Sequence, residues 1–127
     1  MAHHILLVED NDMLQEILST RLEMRGFRVT VVSDGNIAVE YALSLKPDLI
    51  LMDMSLPYLN GWEATKLIRA NEETKHTPII GLTARALVTD KQRGLDAGCN
   101  DYLTKPVAFK ELISKIHAFI GTTPIEN

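Results

Sequence analysis

Cysteine is nearly absent from this chain of 127 residues: Cys99 stands alone, so no internal disulfide can form and the fold must be held by packing. That usage agrees with a reducing compartment. The thiol reads as filler near a turn, with a reactive role as the alternative. Excess basic charge is also missing. Lys and Arg number 13 against 17 Asp and Glu, a formal net charge of −4, and the clustered basic face of a general nucleic-acid binder is not there. A protein partner is the better expectation. No apolar run approaches the ~18 residues that span a bilayer, so membrane insertion is not expected. The start, Met1-Ala2-His3-His4, carries no basic region followed by a long apolar stretch and a cleavage site. These absences predict a cytoplasmic protein.

What is present is the composition of a soluble globular domain, 46% hydrophobic and 24% charged. One domain over residues 1–127 is expected, with a frayed tail over 122–127. Short β-branched or apolar runs at Ile5-Val8, Val29-Val32, Leu49-Met52, Ile79-Leu82 and Asp101-Leu103 alternate with helical periodicity. This is a βα unit repeated five times. Leu14, Ile17, Leu18 and Leu22 predict a helix from Asp12 to Arg25, ended by Gly26 in a left-handed conformation. Ile37, Ala38, Tyr41, Ala42 and Leu45 predict a second helix, stopping before Pro47, with all five on its buried face. A third is expected over Trp62 to Ala70, and Trp62 itself is expected to pack beneath it. Phe109, Leu112, Ile113, Ile116, Phe119 and Ile120 predict the last helix and its sheet-facing stripe. The stretch from Leu87 to Ala97 offers few apolar positions, which predicts a weakly held fourth helix. Leu49-Ile50-Leu51-Met52 is apolar without alternation, as central parallel strands covered on both faces require. Val29-Thr30-Val31-Val32 suits an edge.

The ends of the apolar runs carry the chemistry. Glu9 and Asp10 follow the first, Asp53 the third, Thr83 the fourth and Lys105 the fifth. In an open parallel sheet the carboxyl ends of the strands meet at one crevice, where these side chains would gather. Two adjacent acids either repel or share a cation, and with Asp53 they could supply oxygen ligands to Mg²⁺. Read without Asp53, they are equally well solvated loop acids. Asp53 could be a nucleophile toward phosphorus or a third metal ligand. Pro106 forces the backbone at Lys105 to be extended, so its amine can reach the crevice as a phosphate-binding point charge. The Thr83 hydroxyl could donate to a phosphoryl oxygen. His3, His4, His76 and His117 share no ligand spacing with one another or with Cys99, and read as surface or terminal residues.

Taken in order, Glu9-Asp10, the Asp53-x-x-x-Pro57-x-x-x-Gly61 loop, Thr83-Ala84 and Lys105-Pro106 resemble the receiver domains of two-component response regulators, the CheY-like family. The resemblance runs from His4 to Ile120. It implies a doubly wound, flavodoxin-like α/β fold, five parallel strands in the order 2-1-3-4-5 with helices on both faces. It implies that Asp53 accepts a phosphoryl group from a histidine kinase or a histidine phosphotransfer protein. Mg²⁺ would be held by Asp10, Asp53 and the backbone carbonyl of Ser55, with Glu9 acting largely through water. Lys105 would pair with the phosphoryl group across a cis bond to Pro106, and Thr83 and Tyr102 would form the switch pair. The surface of the fourth helix, fifth strand and fifth helix would then choose a downstream target, as a monomer or a phosphorylation-dependent dimer. Ser55 and Arg85 fall where the family varies. The domain would be a phosphoacceptor that assists its own phosphorylation and dephosphorylation, not an enzyme acting on an outside substrate. With no output domain expected after Ile120, the signal would leave by protein contact or by passing the phosphoryl group on.

Three other readings compete with this one. An Asp-nucleophile phosphatase of the haloacid-dehalogenase type should show Asp-x-Asp, whereas here Asp53-Met54-Ser55 stands. A nucleotide-binding domain should have a glycine-rich first turn where Glu9-Asp10-Asn11-Asp12 stands. A phosphorylation-independent binding module of the same fold is the third.

Overall fold

The apolar runs become strands and the periodic stretches become helices. A computed structural model describes residues 2–84 and 88–121. In chain order the elements are β1 (His4–Val8), α1 (Asp12–Met24), β2 (Arg28–Val32), α2 (Gly35–Leu45), β3 (Leu49–Asp53), α3 (Gly61–Ala70), β4 (Ile79–Thr83), α4 (Val88–Ala97), β5 (Asp101–Thr104) and α5 (Phe109–Ile120). All strand pairs are parallel, in the expected order β2-β1-β3-β4-β5. Leu87, at the start of the expected fourth helix, Arg85 and the tail over 122–127 lie outside the described residues.

Strand side chains alternate between two cores because successive residues point to opposite faces of a pleated sheet. Ile5, Leu7, Leu49, Leu51, Leu82 and Leu103 pack with Leu18 and Leu22 of α1 and Leu112, Ile113 and Ile116 of α5. Leu6, Val8, Ile50 and Met52 pack on the other face with Ala38 and Ala42 of α2 and Ala64 and Ile68 of α3. Both faces are thus covered, which is why β3 and β4 are buried at every residue. β2 is an edge strand with a mixed burial pattern.

Three helices bury narrower faces than their sequences predict. Of those five positions on α2 only Ala38 and Ala42 are buried, while Ile37, Tyr41 and Leu45 are 37–39% exposed and Val39 packs partly buried against the core. On α5, Phe119 is likewise 37% exposed, beyond the buried stripe of Leu112, Ile113 and Ile116. A helix turning 100° per residue can bring only a limited arc against a flat sheet. Small residues let α2 sit close, and the larger side chains then flank the contact. On α1 the same limit leaves Ile17 half-exposed beside buried Leu18.

The starts of α1, α2 and α3 are fixed by side-chain caps, whereas α5 begins after Ala108 without one. Asn11 accepts from the Leu14 N–H at 2.9 Å, Asp34 from Ile37 at 2.9 Å and Asn60 from Glu63 at 3.0 Å, each cap contributing about 1 kcal/mol. Gly26 ends the first helical segment at φ 92°, in the expected left-handed region. Glycine at position 61 has a steric reason: a Cβ there would stand 2.3 Å from the Asp53 carbonyl oxygen. The start of α3 is therefore pressed onto the backbone of the Asp53 strand end.

At the opposite edge of the sheet, the Arg69 guanidinium gathers three segments. It donates to the Gly98 carbonyl (2.8 Å), the Thr77 carbonyl (2.6 Å), the Lys75 carbonyl (3.1 Å) and the Asn100 side-chain oxygen (2.7 Å). Hydrogen bonds from a charged donor contribute roughly 1.5–3 kcal/mol each.

Gly61→Ala is expected to lower stability by about 2 kcal/mol or more, because the clash is with backbone and not with a yielding side chain; urea denaturation measures it. Cys99 is buried beside the Thr65 hydroxyl, 3.9 Å away, and burial pushes its thiol up to about 11. Its reaction with a disulfide reagent at pH 8 is expected to be at least about tenfold slower in the folded protein than in urea. Equal rates would contradict the packing described.

Candidate functional site

The site is built from strand ends. Glu9 leaves β1 with its N–H bonded to the Val32 carbonyl at 3.0 Å, and Asp53 is the last residue of β3. Because β1 and β3 are paired neighbours, both acids arrive at one edge. Carboxylate oxygens of Glu9, Asp10 and Asp53 lie within 4.8 Å of one another. Glu9 and Asp53 are buried, at 0% and 1% exposure, and Asp10 faces outward. The Asn11 N–H donates to Glu9 Oε2 at 3.0 Å, and the Ser55 N–H donates to Asp53 Oδ1 at 3.0 Å.

Lys105 reaches into this cluster from beyond β5. Its Nζ stands 2.9 Å from Glu9 Oε1 and 3.3 Å from Asp53 Oδ2. The Lys105-Pro106 bond is cis, as the resemblance implies, and the Lys105 N–H donates to the Thr83 carbonyl at 2.6 Å. Glu9 is thus held directly by an ammonium and a backbone N–H.

Burial is the larger influence on Glu9. It raises the carboxyl above its ordinary value, and Asp53 adds to the rise, while the Asn11 N–H and Lys105 pull back. At Lys105 burial acts downward, but the hydrogen bond to Glu9 and the charges of Asp53 and Glu9 outweigh it, so the ammonium is held above its ordinary value. With all three acids ionised, one ammonium leaves two negative charges uncompensated. A divalent cation with a preference for oxygen ligands matches that remainder in charge and in donor chemistry.

Thr83 ends β4 and is buried, one register step beyond the pairing of Leu82 with Asp53. Tyr102 pairs in β5 opposite Gly81, and its ring edge would lie 3.7 Å from a Cβ at Gly81. Tyr102 is 9% exposed. Among the described residues the histidines take no part in the acidic cluster. His4 Nε2 lies 2.7 Å from the Thr30 hydroxyl, and His117 is half-buried beside the Phe27 ring, so neither is a plain surface residue.

Three supporting contacts had no signal in the sequence. The Gln15 side chain donates to the Glu9 carbonyl. Trp62 packs under α3, as expected, but the Arg93 guanidinium also lies over its ring at 3.9 Å from the centroid. The Arg69 clamp is the third. None of the three follows from periodicity, and the contacts of Arg93 with Trp62 and of Arg69 with Gly98 and Asn100 join residues about thirty apart in sequence.

Lys105→Ala is expected to destabilise the metal-free protein by about 2 kcal/mol or more at pH 7.5, since it strands a buried carboxylate. The raised carboxyl of Glu9 fixes the sign of the pH dependence. A protonated Glu9 needs no partner, so the deficit should shrink as pH falls toward 5 and grow above it. Urea denaturation of both proteins across that range checks it; a deficit independent of pH would contradict the ion pair's role.

The family model of the response regulator receiver domain matches residues 5–117. The transcriptional regulatory protein HprR of Escherichia coli K12 is 43% identical over 114 residues, 90% of this chain and 50% of HprR. The chain therefore spans about half the length of that relative. The polar-differentiation response regulator DivK of Brucella ovis is 34% identical over 121 residues, 95% of this chain and 98% of DivK. Among solved structures, the receiver domain of the sensor histidine kinase PA1611 of Pseudomonas aeruginosa PAO1 carries a magnesium ion in its active-site cleft. It superposes with a TM-score of 0.89 at 46% identity, covering 96% of this chain and 100% of that one. No helix among the described residues is long and apolar enough to cross a membrane. Motif order, strand order and the crevice of acids and lysine thus agree with the family match over 5–117: this chain belongs to the response regulator receiver domains, the CheY-like domains of two-component signalling.

Proposed function

We propose that residues 1–127 form a single receiver domain that works as a phosphorylation switch, with Asp53 as the phosphoacceptor. The observation that carries the reading is the state of Asp53: a buried carboxylate at a strand end, one oxygen held by the Ser55 N–H and the other 3.3 Å from the Lys105 ammonium. An Asp53 oxygen attacks the phosphorus of a phosphohistidine on a histidine kinase or histidine phosphotransfer protein. The new O–P bond forms as the P–N bond breaks, and the departing imidazole nitrogen takes a proton from solvent. The product is an acyl phosphate on Asp53.

Asp10, Asp53 and the carbonyl of Ser55 would hold Mg²⁺, with Glu9 supporting them; when bound, the ion supplies neutralisation of charge on the phosphoryl oxygens. The magnesium in the PA1611 receiver supports that reading. Lys105 is drawn to the added phosphoryl charge, because phosphorylation exchanges one negative charge for about two and adds strong acceptors. The Thr83 hydroxyl donates to the same group. Movement at Thr83 and at the Tyr102 ring then alters the face of α4, β5 and α5, which selects a downstream target as a monomer or a phosphorylation-dependent dimer. Water attacking the same phosphorus returns the carboxylate, so the domain assists its own phosphorylation and dephosphorylation and has no other substrate. The setting is the cytoplasm, with no direct contact to nucleic acid.

Intact-mass measurement after incubation with acetyl phosphate or phosphoramidate and Mg²⁺ tests the reading. A gain of one phosphoryl group is expected, lost on adding EDTA and absent in Asp53→Asn. A gain that persists in Asp53→Asn would show that another residue accepts the group.

A further inference from the structure

The turn from β1 into α1 carries two of the three acids, and its peptide links are held in different ways. The link before Glu9 is tied to the sheet, with the Glu9 N–H on the Val32 carbonyl at 3.0 Å. The link after Asp10 is tied by Glu9 itself, whose Oε2 accepts the Asn11 N–H at 3.0 Å. The link between Glu9 and Asp10 is tied by a side chain from beyond the turn: the Gln15 carboxamide donates to the Glu9 carbonyl. A peptide unit is planar, so fixing its carbonyl also fixes the direction in which the chain enters Asp10.

Asp10 depends on that direction more than the other two acids depend on theirs. Glu9 and Asp53 are buried, and their oxygens are held by backbone N–H groups and by Lys105. Asp10 is exposed, and among the described residues its carboxylate meets no hydrogen-bond donor and no cation. The backbone beneath it is what brings it to Asp53.

Gln15 is itself firmly placed. It lies one turn into α1, a helix capped by Asn11 and anchored in the core by Leu18 and Leu22. Its own backbone N–H is bonded to the Asn11 carbonyl at 2.9 Å. The side chain is half-buried, and its amide nitrogen also stands 3.4 Å from the Ser33 hydroxyl, so it spans from α1 to the residue that follows β2.

We propose that Gln15 is a positioning residue for the metal centre: by holding the Glu9 carbonyl it aims Asp10 at the cation shared with Asp53. The inference rests on the magnesium reading of these acids. Gln15 touches neither the ion nor the phosphoryl group and acts through the backbone of the turn. Groups that stand behind metal ligands carry about 10–100-fold in affinity, and Gln15 acts on a ligand's backbone and not on the ligand atom, so its share lies below that range.

Calorimetric titration of Mg²⁺ into the unphosphorylated protein, paired with urea denaturation in EDTA and in excess Mg²⁺, tests the role. Gln15→Met keeps the length of the side chain and removes the donor. It should weaken Mg²⁺ binding by about fivefold, still at one ion per chain. Its urea midpoint should fall further below that of the wild type in Mg²⁺ than in EDTA, because a ligand stabilises the folded state by the logarithm of its affinity. A deficit of the same size in both media would show a contact that serves the fold alone and would overturn the proposal. Gln15→Ala removes the same donor with a shorter side chain and should give the same weakening; should Gln15→Met fail to fold, it decides the matter. Wild-type affinity in the folded variant overturns the positioning role and leaves the magnesium site standing. A wild type that binds no Mg²⁺ overturns the magnesium reading and this inference with it.

Discussion

One ammonium among three carboxylates is the constraint on which this structure turns. Lys105 is 96 residues from Glu9 along the chain, yet the two are 2.9 Å apart. Nothing local could bring them together. Their meeting requires β1 and β3 at the centre of the sheet, β4 beside β3 and β5 beside β4, all pointing the same way. Two layers of aliphatic packing hold that arrangement, and the sheet in turn holds the charges. Burying Glu9 and Asp53 opposes folding unless they are paired, and one cation pairs them incompletely. The cluster is therefore better suited to receiving positive charge than to stabilising the fold.

The same sheet separates the site from its response. Gly61 presses α3 onto the Asp53 backbone, and Lys105 bonds to the Thr83 carbonyl, so the acceptor and its neighbours are closely joined at one edge. At the other edge Arg69 ties together the ends of α3 and α4 and the approaches to β4 and β5. Between the edges, α4 lies against α3 with Arg93 over Trp62.

Much of this was legible in the sequence. Unbroken runs such as Leu49-Met52 declared buried parallel strands, and the edge character of Val29-Val32 was visible in its polar position. The acids, hydroxyl and amine could be gathered on paper because residues after parallel strands must emerge at one edge. Burial of individual helix positions was less readable. Ile37, Tyr41 and Leu45 share a periodicity with Ala38 and Ala42, and only the distance between helix and sheet decides that the alanines are inside. Side chains that act across the fold left no pattern at all. Arg69 looks like any surface arginine until Gly98, Thr77 and Asn100 are brought to it, and Gln15 is an ordinary helix residue until it meets the Glu9 carbonyl. The direct pairing of Glu9 with Lys105 likewise depends on a distance of tertiary origin.

The uncompensated negative charge around Asp53 is proposed as a magnesium site. Calorimetric titration of Mg²⁺ into the wild type and into Asp10→Asn, at pH 7.5 and moderate salt, tests it most directly. One ion per chain is predicted for the wild type, with affinity weakened by about tenfold or more in the variant, since even indirect supports of a metal site carry that much. Equal binding by the two proteins, or none by the wild type, would contradict it.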